Sequence, residues 1–161
     1  GFGDAQSFVY DVTENKDYAF IGIEPYKKGF ARAVQFYEEN FPENMFLFNG
    51  DAREFFESIK YKINLIRIHF PDPWPKKKHI KRRLITKDFF LIAWNILKKN
   101  GSIEIITDSS IYQKHIEELI DHQEYFKQIS DFPISYQIST FNKKAIRKGH
   151  TIKEYVLEKI S

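Results

Sequence analysis

The 161-residue chain contains no cysteine. A disulfide scaffold, a thiolate zinc site and a cysteine nucleophile are excluded together. Glycine and proline are sparse, and no linker, low-complexity tract or internal repeat divides the sequence, so the expectation is one domain over residues 1–161. No apolar stretch approaches the ~20 residues of a membrane span. No signal-peptide pattern opens the chain either, and the compartment expected is the cytoplasm, without a membrane partner. The five histidines (His69, His79, His115, His122 and His150) have no metal-ligand spacing, so no metal is expected. Aromatic surface, by contrast, is plentiful. Sixteen Phe, nine Tyr and two Trp are ample for a buried core, which excludes intrinsic disorder.

Negative charge is missing from one place in particular. The formal net charge is +3, yet the eight residues Lys76–Arg83 (KKKHIKRR) hold six of the 25 basic residues and none of the 22 acidic ones. The rest of the chain has 19 basic residues against 22 acidic ones. A mildly acidic body thus carries one concentrated cationic segment.

Hydrophobic spacing alternates between helix and strand. Residues 4–15, 26–40, 52–59, 86–99 and 111–122 have helical periodicity, with Thr86 as an N-cap and Gly101 as a helix stop. Short apolar runs at 18–24, 45–48, 63–70 and 102–107 read as strands, and residues 134–138 and 151–159 are strand candidates in the tail. This alternation predicts an α/β fold: a mostly parallel sheet with helices on both faces. The opening Gly1-Phe2-Gly3-Asp4-Ala5 has the form of a glycine-rich turn between a strand and a helix. The first strand of the sheet is therefore expected to precede Gly1.

Four places could carry chemistry. Glycines in the opening turn allow close approach of a ligand to backbone at a helix N-terminus. Glu24 follows at the spacing of an acid that accepts from ribose hydroxyls, although a plain helix-entry turn with an exposed acid fits the same residues. Asp51 can accept from an adenosine or cap the helix that starts at Ala52, and the two roles are compatible. Phe70-Pro71-Asp72-Pro73-Trp74-Pro75 lies after a strand, where open α/β sheets place their ligands. Its prolines restrict the backbone around one carboxylate, and Trp74 can either stack on a base or brace the loop. The basic run follows at once, and its position favours phosphate contacts over a merely solvated face.

The stretch FPDPWPKKKHIKRR closely resembles the signature of the bacterial tRNA (guanine-N7)-methyltransferases. GIE at Glu24, GDA at Asp51, TD at Asp108 and the G-x-x-I-x-E-Y segment from Gly149 follow in that family's order. The resemblance implies a Rossmann-like class I methyltransferase fold, with an antiparallel C-terminal strand, and S-adenosylmethionine as cofactor. It implies transfer of a methyl group to N7 of a variable-loop guanine in tRNA by a monomer or homodimer. Gly1, Gly3, Glu24, Asp51 and Asp72 would line the cofactor site, with Asp72 catalytic. Lys76, Asp108, Ser139 and Asn142 would meet the target nucleotide, and Lys78, His79, Lys81, Arg82 and Arg83 the RNA. The chain departs from the pattern at Ala5, where the family has glycine, and at Asn142, where it has glutamate. Other readings compete with this one: an RNA-binding module without catalysis, or an amino methyltransferase with a D/N-P-P-Y/W loop. An NAD dehydrogenase would explain the glycine turn and Glu24 but not residues 70–83. The glycine turn, Glu24, Asp51 and Asp72 are expected to share one pocket at the C-terminal edge of the sheet.

Overall fold

A computed structural model describes residues 1–131, Ile134 and 140–160. The chain divides into two compact units: Gly1–Phe55 with Ser135–Thr140, and Phe56–Ile134 with Phe141–Ser161. Each has its own sheet and core.

The first unit runs through α1 (Gln6–Glu14), β1 (Phe20–Ile23), α2 (Lys27–Asn40) and β2 (Met45–Phe48) into the first turn of α3 (Ala52–Ser58). Strands β1 and β2 are parallel, with Phe20 opposite Met45 and Ile23 opposite Phe48. A parallel pair needs a long crossover, and α2 supplies it. Phe8 and Val12, one helical turn apart on α1, bury against Ala33 of α2 and Met45 of β2. The entry to α1 is a tight turn in which Gly3 (φ 61°) and Ala5 (φ 68°) are both left-handed. Asn44 ties the far end of this unit together, its amide donating to the carbonyls of Val12 (3.0 Å) and Tyr18 (3.1 Å).

The second unit contains β3 (Ile63–His69), α4 (Lys87–Ile96), β4 (Leu97–Thr107), α5 (Ser110–Asp121), β5 (Phe126–Ile129), α6 (Thr140–Arg147, of which Phe141 onward belongs here) and β6 (Lys153–Lys159). Its strand order is β3-β4-β6-β5. β3 and β4 are parallel, and the C-terminal β6 is inserted antiparallel to both of its neighbours. Phe90, Ile103, Ile105, Ile116 and Leu157 are fully buried and form its core. The α/β class and the parallel pairs agree with the alternation read from the sequence, and the antiparallel last strand with the fold that the resemblance implies.

Boundaries differ where a local bond overrides periodicity. Thr86 does cap α4, accepting from the Phe89 N–H at 3.1 Å. The helix nevertheless ends at Ile96, well before Gly101, because Leu97 turns extended and begins β4. Residues 98–101 bulge out of register: Ile63 faces Leu97, but Leu65 faces Ser102. Gly101 serves this bulge and does not stop a helix, since a Cβ there would lie 2.9 Å from the Lys98 carbonyl oxygen and 3.1 Å from that of Asn64. β5 and α6 were not evident from periodicity. The strand candidate at 134–138 falls outside the described residues except for Ile134.

Gly29, in the first turn of α2, exists for close approach. A Cβ on it would sit 1.9 Å from the Gly3 carbonyl oxygen. An unobstructed glycine-to-alanine change in a helix stabilises by about 1 kcal/mol. Gly29→Ala should instead destabilise by about 1–3 kcal/mol, because it drives a methyl group into the backbone of the opening turn. A urea midpoint shifted downward would agree; an upward shift would mean that the turn yields without cost.

Candidate functional site

In the first unit, the opening turn and the C-terminal end of β1 are bonded to each other. Glu24, directly after β1, accepts from the Gly3 N–H at 2.7 Å and from the Tyr26 N–H at 2.9 Å. Its backbone is fixed as well: its N–H donates to the Phe48 carbonyl at 3.2 Å, and its carbonyl accepts from the Asn49 amide at 2.8 Å. Glu24 is only 2% exposed. A buried carboxylate needs hydrogen-bond partners in place of water, and two backbone N–H groups provide them. Glu24 is thus a clasp on the glycine turn and not the exposed acid of the plain helix-entry reading.

Asp51, three residues past β2's end at Phe48, is exposed and caps α3. Its Oδ1 accepts from the Arg53 N–H at 2.8 Å, and Arg53 adds a loose ion pair at 4.0 Å. The cap reading holds, and the cap occupies only part of a carboxylate that can accept about four bonds. The Phe2 N–H donates to the Ile23 carbonyl at 3.3 Å, so the opening turn, Glu24 and the loop that carries Asp51 gather at one corner of this unit. Thr140 also reaches the turn, its hydroxyl donating to Asp4 Oδ2 at 3.0 Å.

In the second unit, β3 delivers the proline loop. Phe70 turns left-handed (φ 51°) while its N–H donates to the Ile106 carbonyl at 2.7 Å and its ring stacks on Phe141 at 5.9 Å. Asp72 is exposed at the loop tip. Trp74 is again left-handed (φ 42°), a conformation that costs a residue with a Cβ about 1–2 kcal/mol. Two such residues bracketing one carboxylate mark a loop held under strain by its surroundings.

The basic run forms a 3-10 turn, Lys77–Arg82, that folds back on this loop. Arg82 lies over the Trp74 ring at 5.0 Å, and His79 meets the ring edge at 5.6 Å. Trp74 therefore braces the loop, with its face covered by a cation. Lys76, Lys77, Lys78, Lys81 and Arg82 are exposed, as a phosphate-binding stretch requires. Arg83 corrects the expectation. It is 4% exposed, and its guanidinium donates to the carbonyls of Pro73 (2.9 Å) and Trp74 (3.4 Å), so it points inward and not toward RNA.

Asp108 follows β4 and pairs with His150 Nδ1 at 2.7 Å. This partner was not visible in the sequence. Asn142, expected to meet the target base, is 5% exposed on α6, which leaves little of it to present. Ser139 lies outside the described residues.

Beneath the loop, Glu104 of β4 is fully buried and faces Arg67 of β3 in register. Arg67 Nε lies 2.9 Å from Glu104 Oε1, and His69 Nε2 meets the same oxygen. Arg67 also donates to the Ile134 carbonyl at 2.8 Å. This charged cluster ties β4 to the strand that carries Asp72. Sequence reading misses it because polar residues at alternate strand positions look solvent-facing.

Among the described residues there is no group of three or more His, Asp or Glu side chains suited to a metal ion, and no helix is long and apolar enough to cross a membrane.

Comparison with known proteins identifies the family. The model of a family described as "Putative methyltransferase" matches residues 1–155. A tRNA (guanine-N(7)-)-methyltransferase of Wolbachia pipientis is 30% identical over 162 residues, covering all of this chain and 73% of that protein. A protein of the same name from Mycoplasma genitalium is 31% identical over 99% of this chain and 82% of its own length. In three dimensions, a Streptococcus mutans protein of the family model's description, solved in complex with SAH, superposes with a TM-score of 0.64 at 11% identity, covering 99% of this chain and 85% of that one. The fold is that of a Rossmann-like methyltransferase. With the signature loop, the acids after successive strands and the full-length sequence matches in agreement, the chain belongs to the tRNA (guanine-N7)-methyltransferase family.

Proposed function

We propose that this enzyme transfers a methyl group from S-adenosylmethionine to N7 of a variable-loop guanine in tRNA, in the cytoplasm. The observation that carries the reading is the exposed Asp72, held at the tip of a strained, proline-framed loop that runs directly into exposed cations.

The residues of the first unit suit an adenosyl group. A glycine turn leaves backbone accessible, Asp51 is exposed with lone pairs to spare, and Glu24 keeps the turn closed on β1. Gly1, Gly3 and Asp51 would hold the donor, with Glu24 fixing the turn that presents the two glycines. When bound, the sulfonium supplies an electrophilic methyl group.

Guanine N7 already has an in-plane lone pair, so no proton must leave before attack. Bound S-adenosylmethionine would give its methyl group to N7 and leave as a neutral thioether, so that positive charge would come to rest on the purine. Asp72 then has two tasks, to orient the base and to favour that charge, and neither is general-base catalysis. Lys76 and Asp108 would contact the target nucleotide, with His150 holding the Asp108 carboxylate in place. Lys78, His79, Lys81 and Arg82 would grip phosphates and set register without reading sequence. N7 lies on the Hoogsteen edge, so a loop nucleotide can present it without opening a helix.

Asp72→Asn removes the charge at nearly constant shape. It should leave tRNA binding intact and slow single-turnover methylation by roughly two to three orders of magnitude. A rate within about twofold of wild type would remove Asp72 from the chemistry. Neutralising Lys78, Lys81 and Arg82 together should weaken tRNA binding and flatten its log–log salt dependence by up to ~3 ion-release units. An unchanged slope would make the run a solvated surface only.

A further inference from the structure

We propose that Arg83 is a positioning residue for methyl transfer: it clamps the left-handed Trp74 backbone and thereby fixes the Asp72 loop, rather than neutralising a tRNA phosphate. The role in catalysis rests on the methyltransferase reading; the clamp itself does not.

Trp74 adopts φ 42°, which a bulky L-residue keeps only where its surroundings over-determine it. Arg83 supplies that determination on both sides. Its Nε donates to the Pro73 carbonyl, just before Trp74, and its Nη2 to the Trp74 carbonyl, just after. These are the two peptide groups that flank the strained α-carbon. A guanidinium is a rigid planar fork, so it bonds both carbonyls in one fixed relation, which a lysine ammonium cannot do.

The clamp is itself anchored. The Arg83 guanidinium lies over the ring of Tyr112 at 5.4 Å, and Tyr112 is fully buried. The Tyr112 hydroxyl accepts from the Ile85 N–H at 3.1 Å, and His115 Nε2 lies 2.9 Å from the Ile85 carbonyl. Helix α5 thus holds both the arginine and the chain just beyond it. At the other end, the Arg83 N–H donates to the Ile80 carbonyl at 3.0 Å and closes the 3-10 turn that presents the exposed lysines. Arg82 and His79 of that turn rest on the Trp74 ring. The cationic turn and the Asp72 loop therefore share one brace. Among the six basic residues of the run, Arg83 is the buried one, and the geometry assigns it to loop position.

The test uses the full chain in a Trp94→Phe background, which leaves Trp74 as the sole tryptophan. Arg83→Lys keeps the charge and loses the fork. Single-turnover methylation at saturating tRNA and S-adenosylmethionine should fall about 10- to 100-fold, while the tRNA Kd stays within twofold and its salt slope is unchanged. Acrylamide quenching of Trp74 should at least double, and thermal unfolding should remain cooperative. Quenching needs neither cofactor nor RNA, so a chain that makes no methylguanosine yet shows it would refute the methyltransferase reading and leave the clamp standing. A second variant separates strain from general structure. In a Trp74→Gly chain, where glycine takes positive φ unaided, Arg83→Lys should slow methylation less than threefold. The assignment is overturned if Arg83→Lys raises the tRNA Kd and flattens the salt slope by about one unit, if it leaves rate and quenching unchanged, if it abolishes cooperative unfolding, or if its rate effect is undiminished in the Trp74→Gly chain.

Discussion

In the role proposed for Asp72, a carboxylate steers a charged transition state and needs a loop that holds it in place. Backbone geometry supplies that hold. The chain enters the loop through a left-handed Phe70 tied by its N–H to the Ile106 carbonyl, and leaves it through a left-handed Trp74. Pro71 and Pro73 flank the acid directly, each with its φ fixed by the ring. Strain of this kind has to be balanced by the second unit's own structure. Part of that balance is the β3–β4 register, secured by the buried Glu104 with Arg67 and His69. A buried ion pair adds little net stability, but breaking one leaves an uncompensated charge, so the cluster resists register slip more than it strengthens the sheet.

The first unit applies the same economy to the opening turn. Glu24 uses its carboxylate to hold Gly3 and Tyr26, and Gly29 lets α2 approach the Gly3 carbonyl. Asp51 remains the exposed acid of the corner. Charge is distributed to match: the chain outside residues 76–83 is mildly acidic, whereas the run next to the loop that carries Asp72 has six basic residues, five of them exposed, and no acid. Such an arrangement favours one binding orientation of a polyanion over general adhesion.

Much of this was legible in the sequence because it depends on local order. Glu24, Asp51, Asp72 and Asp108 each stand just after a short apolar run, and each is found after the C-terminal end of a strand. Thr86 and Asp51 carry the caps that their residue types favour. What escaped depends on chain folding back on itself. Arg83 ends a run of exposed cations, and nothing in KKKHIKRR separates it from its neighbours until the 3-10 turn points it at Pro73 and Trp74. Glu104 in SIEIIT looks like a solvent-facing residue, and its burial is intelligible only once Arg67 is opposite it. Gly101 followed a helical pattern and was read as its stop, but a tertiary contact with Asn64 sets its role. Asn142 was placed by motif alone, and burial on α6 withdraws most of it from a substrate.

The central claim is that this chain methylates guanine at N7 in tRNA, and nucleoside identification tests it most directly. The chain would be incubated with isotopically labelled S-adenosylmethionine and unmodified tRNA transcript, and the digested RNA resolved by mass spectrometry. The account predicts label in 7-methylguanosine alone, from a single variable-loop guanine. Label on an exocyclic amine, or a chain that binds tRNA and transfers no methyl group, would contradict it.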